Sequence, residues 1–310
     1  MNLIRCLNNL TPFQHGCIVT IGNFDGVHRG HQAVFKQLHE MNQTLGLAII
    51  VMTFDPQPQE FFSPDPPARL TRLREKLSYF AECNLNTIIC LRFNKALEQL
   101  SAEDFVKEIL IKKLNMKHLI VGDDFRFGYK RQGNYELLQA LGQRFGFGLS
   151  SAVVVNDSKG ERISSTRVRS LLAAGQFAGA NVLLGHPYVM IGRVVHGNKL
   201  GRTLGFPTAN IELQRRKSPL QGIFAVRIHG LNGRVYVGVA SLGTRPVVNG
   251  KKMLLEVHFF DFDQAIYGKI LQIEFCHKLR DEEYFASLEL LTEQIAKDVE
   301  NAKEYFNDRL

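Results

Sequence analysis

The strongest constraint on the fold is a change of hydrophobic rhythm near residue 185. Before it, short apolar runs alternate with stretches whose apolar residues recur every three or four positions. After it, apolar and polar residues largely alternate. A helix repeats at about 3.6 residues and a strand at about two, so the chain carries two architectures in series. In the first part CIVTIGNF (17–24), LAIIVMTF (47–54), NTIICLRF (86–93), HLIVG (118–122) and LSSAVVV (149–155) read as buried strands. GHQAVFKQLHEMNQTLG (30–46), REKLSYFAEC (74–83), SAEDFVKEILIKKL (101–114) and NYELLQALGQRFG (134–146) read as the helices between them, with Ser101 as an N-cap and Asp104 in the first turn. Repeated strand–helix–strand units imply a parallel sheet covered by helices, an α/β doubly wound layer.

Residues 164–185 read as two short helices, and Gly185-His186-Pro187 as a connector. Beyond it YVMIGRVV, IFAVRIHG, RVYVGVASL, KMLLEVHFFDF and ILQIEFCHKL alternate like half-buried strands. Leu231-Asn232-Gly233 and Val248-Asn249-Gly250 are hairpin-like turns. The pattern predicts a small antiparallel β-barrel followed by one amphipathic helix over 287–306. The predicted domains are therefore 1–185 and 186–310.

Composition sets the outer limits. A hydrophobic share of 45% with 22% charged residues is that of a globular protein with a sizeable core. No window approaches the roughly 18 apolar residues of a membrane span, so no membrane partner is expected. The N-terminus, MNLIRCLNNLTPFQ, lacks the apolar centre of a secretion signal, which predicts a cytoplasmic protein. Cys6, Cys17, Cys83, Cys90 and Cys276 are scattered without C-x-x-C spacing and read as reduced, mostly buried thiols. The net charge of +8 favours anionic ligands. Its densest clusters, RLTRLREK (69–76) and LQRRKSP (213–219), are short and broken, and read as solvated surface rather than a nucleic-acid face.

Two stretches carry chemistry. IGNFDGVHRGHQ (21–32) leaves a strand, turns on glycines and opens a helix. His28 and His31 are three apart and share a face of the first helical turn. Gly26 and Gly30 allow close backbone approach, and the helix start supplies unpaired amides and partial positive charge. Gly22, Phe24 and Asp25 of the turn are expected to bind phosphate, and Asn23 to contact it as a catalytic residue. Two histidines alone would underfill a zinc site. The second stretch, GRVVHGNKLGRTLGFPTANI (192–211), places Gly197, Gly201 and Gly205 before Thr208 and Asn210. It is not G-x-x-x-x-G-K-[ST], so it is no Walker loop. Thr208 and Asn210 are two apart on an extended segment and offer hard oxygens on one face, which suits Mg²⁺ bridging the phosphates of ATP.

H-x-G-H after the first strand of a doubly wound sheet resembles the nucleotidyltransferase superfamily, with its Rossmann-like fold. ISSTRVR (163–169) is similar to that superfamily's second phosphate motif, which implies phosphate contacts from Ser164, Ser165, Thr166 and Arg169. GNFDGVHRGHQ, FDPQP, GDDFRFG and ISSTRVR together resemble the FMN adenylyltransferase half of bacterial bifunctional riboflavin kinase/FAD synthetases. This resemblance implies a flavin pocket drawn from Phe54, Phe62, Asp124 and Phe125, or Phe127, whose rings suit a flat isoalloxazine. Gln57 stands where the resemblance leads one to expect histidine. GRTLGFPTANI, GIFAVRI, GVASLGTRP, LLEVHFFDF and FCHKLRDEEYF resemble the riboflavin kinase domain over 186–310. There the resemblance implies Glu256 as the base, Thr208 and Asn210 as metal and phosphate ligands, and Arg280 as a residue positioning flavin or a loop.

The expected substrates are riboflavin, FMN and ATP with Mg²⁺, and FAD is the final product. No nucleic-acid or membrane partner is expected, and self-association at most transiently. Two other readings stay open at this point. One is an adenylyltransferase for a different phosphate ester with the barrel as an accessory. The other is a flavin- or RNA-binding protein without catalysis.

Overall fold

One sheet holds six parallel strands, the inner ones formed by apolar runs: Asn2–Ile4 (β1), Cys17–Ile21 (β2), Ala48–Phe54 (β3), Thr87–Leu91 (β4), Met116–Val121 (β5) and Gly148–Ser151 (β6). The computed structural model describes residues 1–7, 10–197, 200–215, 217–247 and 250–307. These divide into two units, Met1–Pro67 with Lys76–Ile163, and Ala68–Glu75 with Ser164–Leu310.

In the first unit the strand order is β1-β4-β3-β2-β5-β6. The chain winds outward from β2 through β3 to β4, then returns past β2 to β5 and β6. The winding therefore reverses between β2 and β5, and ligands of doubly wound sheets bind beyond the carboxyl ends of strands at such a point. Thr20 Oγ1 ties these two strands by donating to the Ile120 carbonyl at 2.8 Å. Every position of β2 is buried, as expected where helices cover both faces. Arg29–Leu45 (α1) ends at Gly46 in the left-handed region (φ 66°). A short helix, Pro58–Phe62 (α2), follows β3, and Leu73–Glu82 (α3) precedes β4. Tyr135–Phe145 (α4) is capped by Asn134, whose Oδ1 accepts from the Leu137 amide at 2.9 Å.

Ser101 caps as its sequence predicts, accepting from the Asp104 amide at 3.0 Å. The helix it starts does not continue as α: Phe105–Lys113 is wound as a wider π-helix. Propensity carries no signal for that widening. The three-residue edge strand β1 was also illegible in its polar surroundings, and β6 ends at Ser151, leaving Val153 and Val154 exposed rather than in a strand.

The second unit is a closed antiparallel barrel in the order β10-β11-β8-β7-β12-β9. Its strands are Val189–Val195 (β7), Thr208–Glu212 (β8), Gly222–Leu231 (β9), Arg234–Val247 (β10), Gly250–Phe259 (β11) and Ile270–Arg280 (β12). Alternation sorts the faces: Ile211, Leu255, Val257, Ile273 and Phe275 fill the interior. Asn232 (φ 51°) and Gly233 (φ 70°) make the β9–β10 turn in the left-handed conformation that two-residue hairpins require. The Val248-Asn249-Gly250 turn falls on residues 248–249, outside the described residues. Ser165–Ala173 (α5) and Phe177–Leu184 (α6) belong to this unit, and Leu288–Asn307 (α7) buries Ala302 and Phe306 against Ile223, Val239 and Phe260 on the outside of the barrel.

The two charged clusters correct the sequence reading. Thr71, Glu75, Lys76 and Arg215 are buried rather than solvated. Arg215 meets Glu75 at 2.5 Å and also donates to the Arg69 carbonyl at 2.8 Å. Glu75 further accepts from the Ile191 amide at 2.9 Å, and Arg72 donates to the Leu213 carbonyl at 2.8 Å. Among the described residues, no helix is long and apolar enough to cross a membrane.

Candidate active sites

The turn after β2 is strained. Phe24 (φ 46°), Gly26 (φ 82°) and Val27 (φ 43°) all adopt positive φ, which is costly for a phenylalanine and more so for a β-branched valine. The turn closes through the Val27 amide on the Phe24 carbonyl at 3.3 Å and is held to β3 by the Gly22 amide on the Met52 carbonyl at 3.1 Å. It delivers His28 to the N-cap of α1 in an extended conformation, and no acidic residue occupies the first turn of that helix. The dipole of α1 is thus left unneutralised by its own residues and favours an anion.

The rings of His28 and His31 stack with centroids 3.6 Å apart and an interplanar angle of 18°. Phe24 packs edge-on against His31 at 5.3 Å. Burial above all, then His28 and Lys76, hold the His31 imidazole well below the ordinary histidine range, so at neutral pH it is an uncharged donor and acceptor. Its Nδ1 is buried without a hydrogen-bond partner. Asp25 is buried in the same turn. A Cβ on Gly30 would come within 3.1 Å of the His28 ring and 3.6 Å of the Ile163 carbonyl, so the absence of a side chain there keeps the cradle open.

Three predicted motifs leave the carboxyl ends of adjacent strands: FDPQP follows β3, GNFDG follows β2 and GDDFRFG follows β5. Phe54 and Phe62 belong to one aromatic cluster with Phe61 and Phe93, each touching Phe93 edge-on at 5.9 and 5.6 Å. Phe62 is largely exposed and can offer a face to a planar ligand. Phe61 and Phe93 escaped the sequence reading; the one signal for Phe93 is its place just past the apolar run of β4. Phe125 stacks on Phe127 at 5.5 Å, and Phe127 packs into the core against Phe105. Asp124 is exposed and lies 3.5 Å from Arg162. Gln57 caps α2, and its Nε2 is buried without a partner.

In the second unit Ser164 caps α5, its Oγ accepting from the Arg167 amide at 3.3 Å. Ser165 and Thr166 open that helix, whose first turn is also free of acids. Arg169 donates from Nε to the Ala68 carbonyl at 2.6 Å, which orients its guanidinium.

The barrel carries a cavity of about 370 Å³ on its outer face beneath α7. Glu256 and Thr208 line it, with Ser241, His258, Leu254 and Phe206. Glu256 is the register partner of Asn210 on β8 and of Ser241 on β10, and His258 that of Thr208. Cross-strand partners share a face, so one carboxylate, one amide and two hydroxyls converge on the side opposite Leu255 and Val257. A Cβ on Gly197 would run into the Asn210 side chain, and one on Gly201 would press on Thr208 Oγ1 at 3.2 Å. Glycines are therefore required where this segment passes over the polar row. Gly205 (φ 84°) makes the turn into β8. These hard oxygen donors fit Mg²⁺, but no group of three or more His, Cys, Asp or Glu among the described residues could hold a metal unaided. Such an ion would complete its shell with phosphate and water.

Arg280 lines the cavity but is engaged: Nε and Nη2 meet the buried Asp298 carboxylate of α7 at 2.9 and 2.8 Å. Nη1 donates to the Asp281 carbonyl at 2.9 Å, and the guanidinium lies over Phe285. The geometry makes Arg280 a clamp holding α7 against the barrel. The cysteines are free thiols; Cys17 and Cys90 are buried, Cys83 and Cys276 half-buried and Cys6 exposed.

Comparison with known proteins finds two family domains along the chain. The FAD synthetase family model matches residues 10–167, and the riboflavin kinase family model matches residues 184–306. A bifunctional riboflavin kinase/FMN adenylyltransferase of Escherichia coli strain K12 is 49% identical over 99% of this chain and 98% of its own. The Haemophilus influenzae protein of the same description is 47% identical over 99% of this chain and all of its own (100%). A crystal structure described as a macrolide-efflux protein from Streptococcus pneumoniae superposes with a TM-score of 0.79 at 30% identity, covering 96% of both chains. With both family models matched in order and relatives aligned from end to end, the chain belongs to the bifunctional riboflavin kinase/FMN adenylyltransferase family and carries both enzymatic modules.

Proposed function

We propose that the barrel converts riboflavin to FMN and the parallel-sheet domain converts FMN to FAD, with the division of labour near residue 185. The observations that support this are an acid-free start of α1 near the end of β2 and, in the barrel, a cavity in which Glu256 faces hydroxyl groups. In the barrel, the riboflavin 5′-oxygen attacks the γ-phosphorus of ATP, the bond from γ-phosphorus to the bridging oxygen breaks, and ADP leaves. Glu256 takes the hydroxyl proton, since a primary alcohol is a poor nucleophile until it is deprotonated during attack. A cavity of about 370 Å³ is within the range of small-ligand sites. Thr208 and Asn210 would hold Mg²⁺, which when bound neutralises phosphate charge, while Gly197 and Gly201 let the phosphates approach the backbone.

In the sheet domain an oxygen of the FMN phosphate attacks the α-phosphorus of a second ATP. The bond between α-phosphorus and the α–β bridging oxygen breaks, and pyrophosphate leaves. The attacking phosphate is already ionised, so orientation and charge stabilisation carry the rate. His28 and His31 donate hydrogen bonds to the phosphates, helped by the α1 N-terminus and the turn Gly22–Asp25. Phosphate contact is also proposed for Ser164, Ser165, Thr166 and Arg169 at the start of α5. Phe54, Phe62, Asp124 and Phe125 border the isoalloxazine. The partners are small molecules, and the setting proposed is the cytoplasm, where ATP is available.

The test is product analysis. Purified protein with riboflavin and Mg-ATP is expected to yield FMN and then FAD. Glu256→Ala is expected to lose FMN formation while still converting added FMN to FAD. Loss of both activities in a folded variant, or of neither, refutes the two-site assignment.

A further inference from the structure

Lys76 is the least expected residue near the nucleotide turn. It sits in a cluster that reads as solvated surface, yet it is 3% exposed. Its Nζ donates to the main-chain carbonyl of Asn23 and reaches Thr53 Oγ1 at 3.5 Å. Thr53 Oγ1 in turn donates to the same Asn23 carbonyl at 3.4 Å. Asn23 immediately precedes Phe24, the first of the left-handed residues, so the anchor sits where the strained turn begins. Strained backbone persists only where surrounding groups over-determine it. A buried ammonium is costly to desolvate, and a hydrophobic residue would fill the space at less cost. Its presence calls for an electrostatic role.

We propose that Lys76 is a positioning residue of the adenylyl-transfer site, an ammonium that fixes the Asn23 end of the nucleotide turn and sets the potential beneath the stacked histidines. The idea rests on the reading of that turn as the site of FAD formation. Two consequences follow from the geometry. Without the ammonium, the turn loses a charge-assisted hydrogen bond and His28 is no longer delivered at a fixed position over the cradle. The histidine pair also loses a cationic neighbour. The groups bearing on His31 are His28 from its own helical turn, Lys76 from α3 and the edge of Phe24, with Asp25 buried in the turn. Lys76 disfavours a second cation on His31, so its removal makes His31 easier to protonate.

The experiment uses the full chain and follows FMN-to-FAD conversion across pH, with riboflavin phosphorylation as an internal control. Lys76→Met is expected to lower kcat/KM for FAD formation by about tenfold or more, the scale of one hydrogen bond to a charged group. Riboflavin phosphorylation is expected to stay within about twofold. The acid limb of the FAD-forming rate is expected to move to higher pH by on the order of one unit, the effect of a unit charge at short range. Lys76→Arg, which keeps the charge with a different reach, is expected to return the acid limb toward its original position while recovering only part of the rate. Unchanged FAD formation and an unchanged acid limb in Lys76→Met overturn the proposal. So does a rate loss with no movement of the acid limb in either variant, which leaves only a packing role. If Lys76→Met does not fold, Lys76→Gln takes its place: a lowered FAD-forming rate with the acid limb moved to higher pH supports the proposal, and an unmoved acid limb overturns it. Wild-type protein that makes no FAD from FMN refutes the underlying reading instead.

Discussion

At the scale of single residues, the protonation of His31 links function to stability. Its native pKa lies below its unfolded value, so as pH falls through the ordinary histidine range the unfolded chain binds a proton that the native state refuses. Stability is then present above that range and declines on acidification toward the lowered native value. Half-burial lowers the pKa of His118 in the same direction. Thermal melts are expected to show a midpoint falling as pH drops below about 6.5, and a flatter profile in His31→Asn. A thiol experiment belongs here too. Burial pushes Cys17 and Cys276 up to about 12, which keeps both protonated and unreactive at neutral pH. Alkylation of native protein followed by peptide mapping is expected to mark exposed Cys6 before either. His28→Ala is expected to reduce FAD formation by about two orders of magnitude, the cost of losing one preorganised stabilising group, with the kinase unaffected.

At the scale of elements, helix α7 and the C-terminal end of β12 form one device. Arg280 and Gln294 both meet Asp298, which is nearly inaccessible to solvent. Removing the carboxylate in Asp298→Ala leaves a guanidinium without its anion, and chemical denaturation is expected to show a loss of about 3 kcal/mol. Because Leu291, Ile295 and Val299 of the same helix line the cavity, riboflavin KM is expected to rise more than ATP KM. The glycine segment over β8 makes a second element-level case: Gly197→Ala meets the Asn210 side chain, and a selective loss of riboflavin phosphorylation is expected. The elements themselves were largely legible in the sequence, because each strand and helix follows from a local period. Ser101 and Asn134 caps, Gly46 and Gly146 ends, and the Asn232-Gly233 turn are contacts within a few residues of each other. The π-widening of 105–113 and the edge strand β1 were not legible, since both depend on what packs or pairs at a distance.

At the scale of the whole molecule, the proposed assignment gives the two activities separate residues, and complementation tests whether FMN passes from one protein molecule to another. Glu256→Ala alone and His28→Ala alone are both expected to fail to make FAD from riboflavin. An equimolar mixture of the two is expected to make it, because FMN released by one is adenylylated by the other. Chromatography of the mixture reads this directly, and no FAD from the mixture would mean that one of the substitutions damages both sites.

By itself the sequence determined the two architectures, their order and the phosphate motifs, because hydrophobic period, glycine turns and helix starts are local properties. It placed His28 and His31 together, since three residues along a helix make one face, and it placed Thr208 beside Asn210 on an extended strand. Only the tertiary structure decided what lies across from them. Pairing of β11 with β8 and β10 brings Glu256 to Asn210 and Ser241, and docking of α7 turns that face into a cavity. Folding likewise took Lys76, Glu75 and Arg215 out of water and gave them partners distant in sequence. Burial of a charge is settled by the groups that surround it, and those groups are brought near only when the chain has folded.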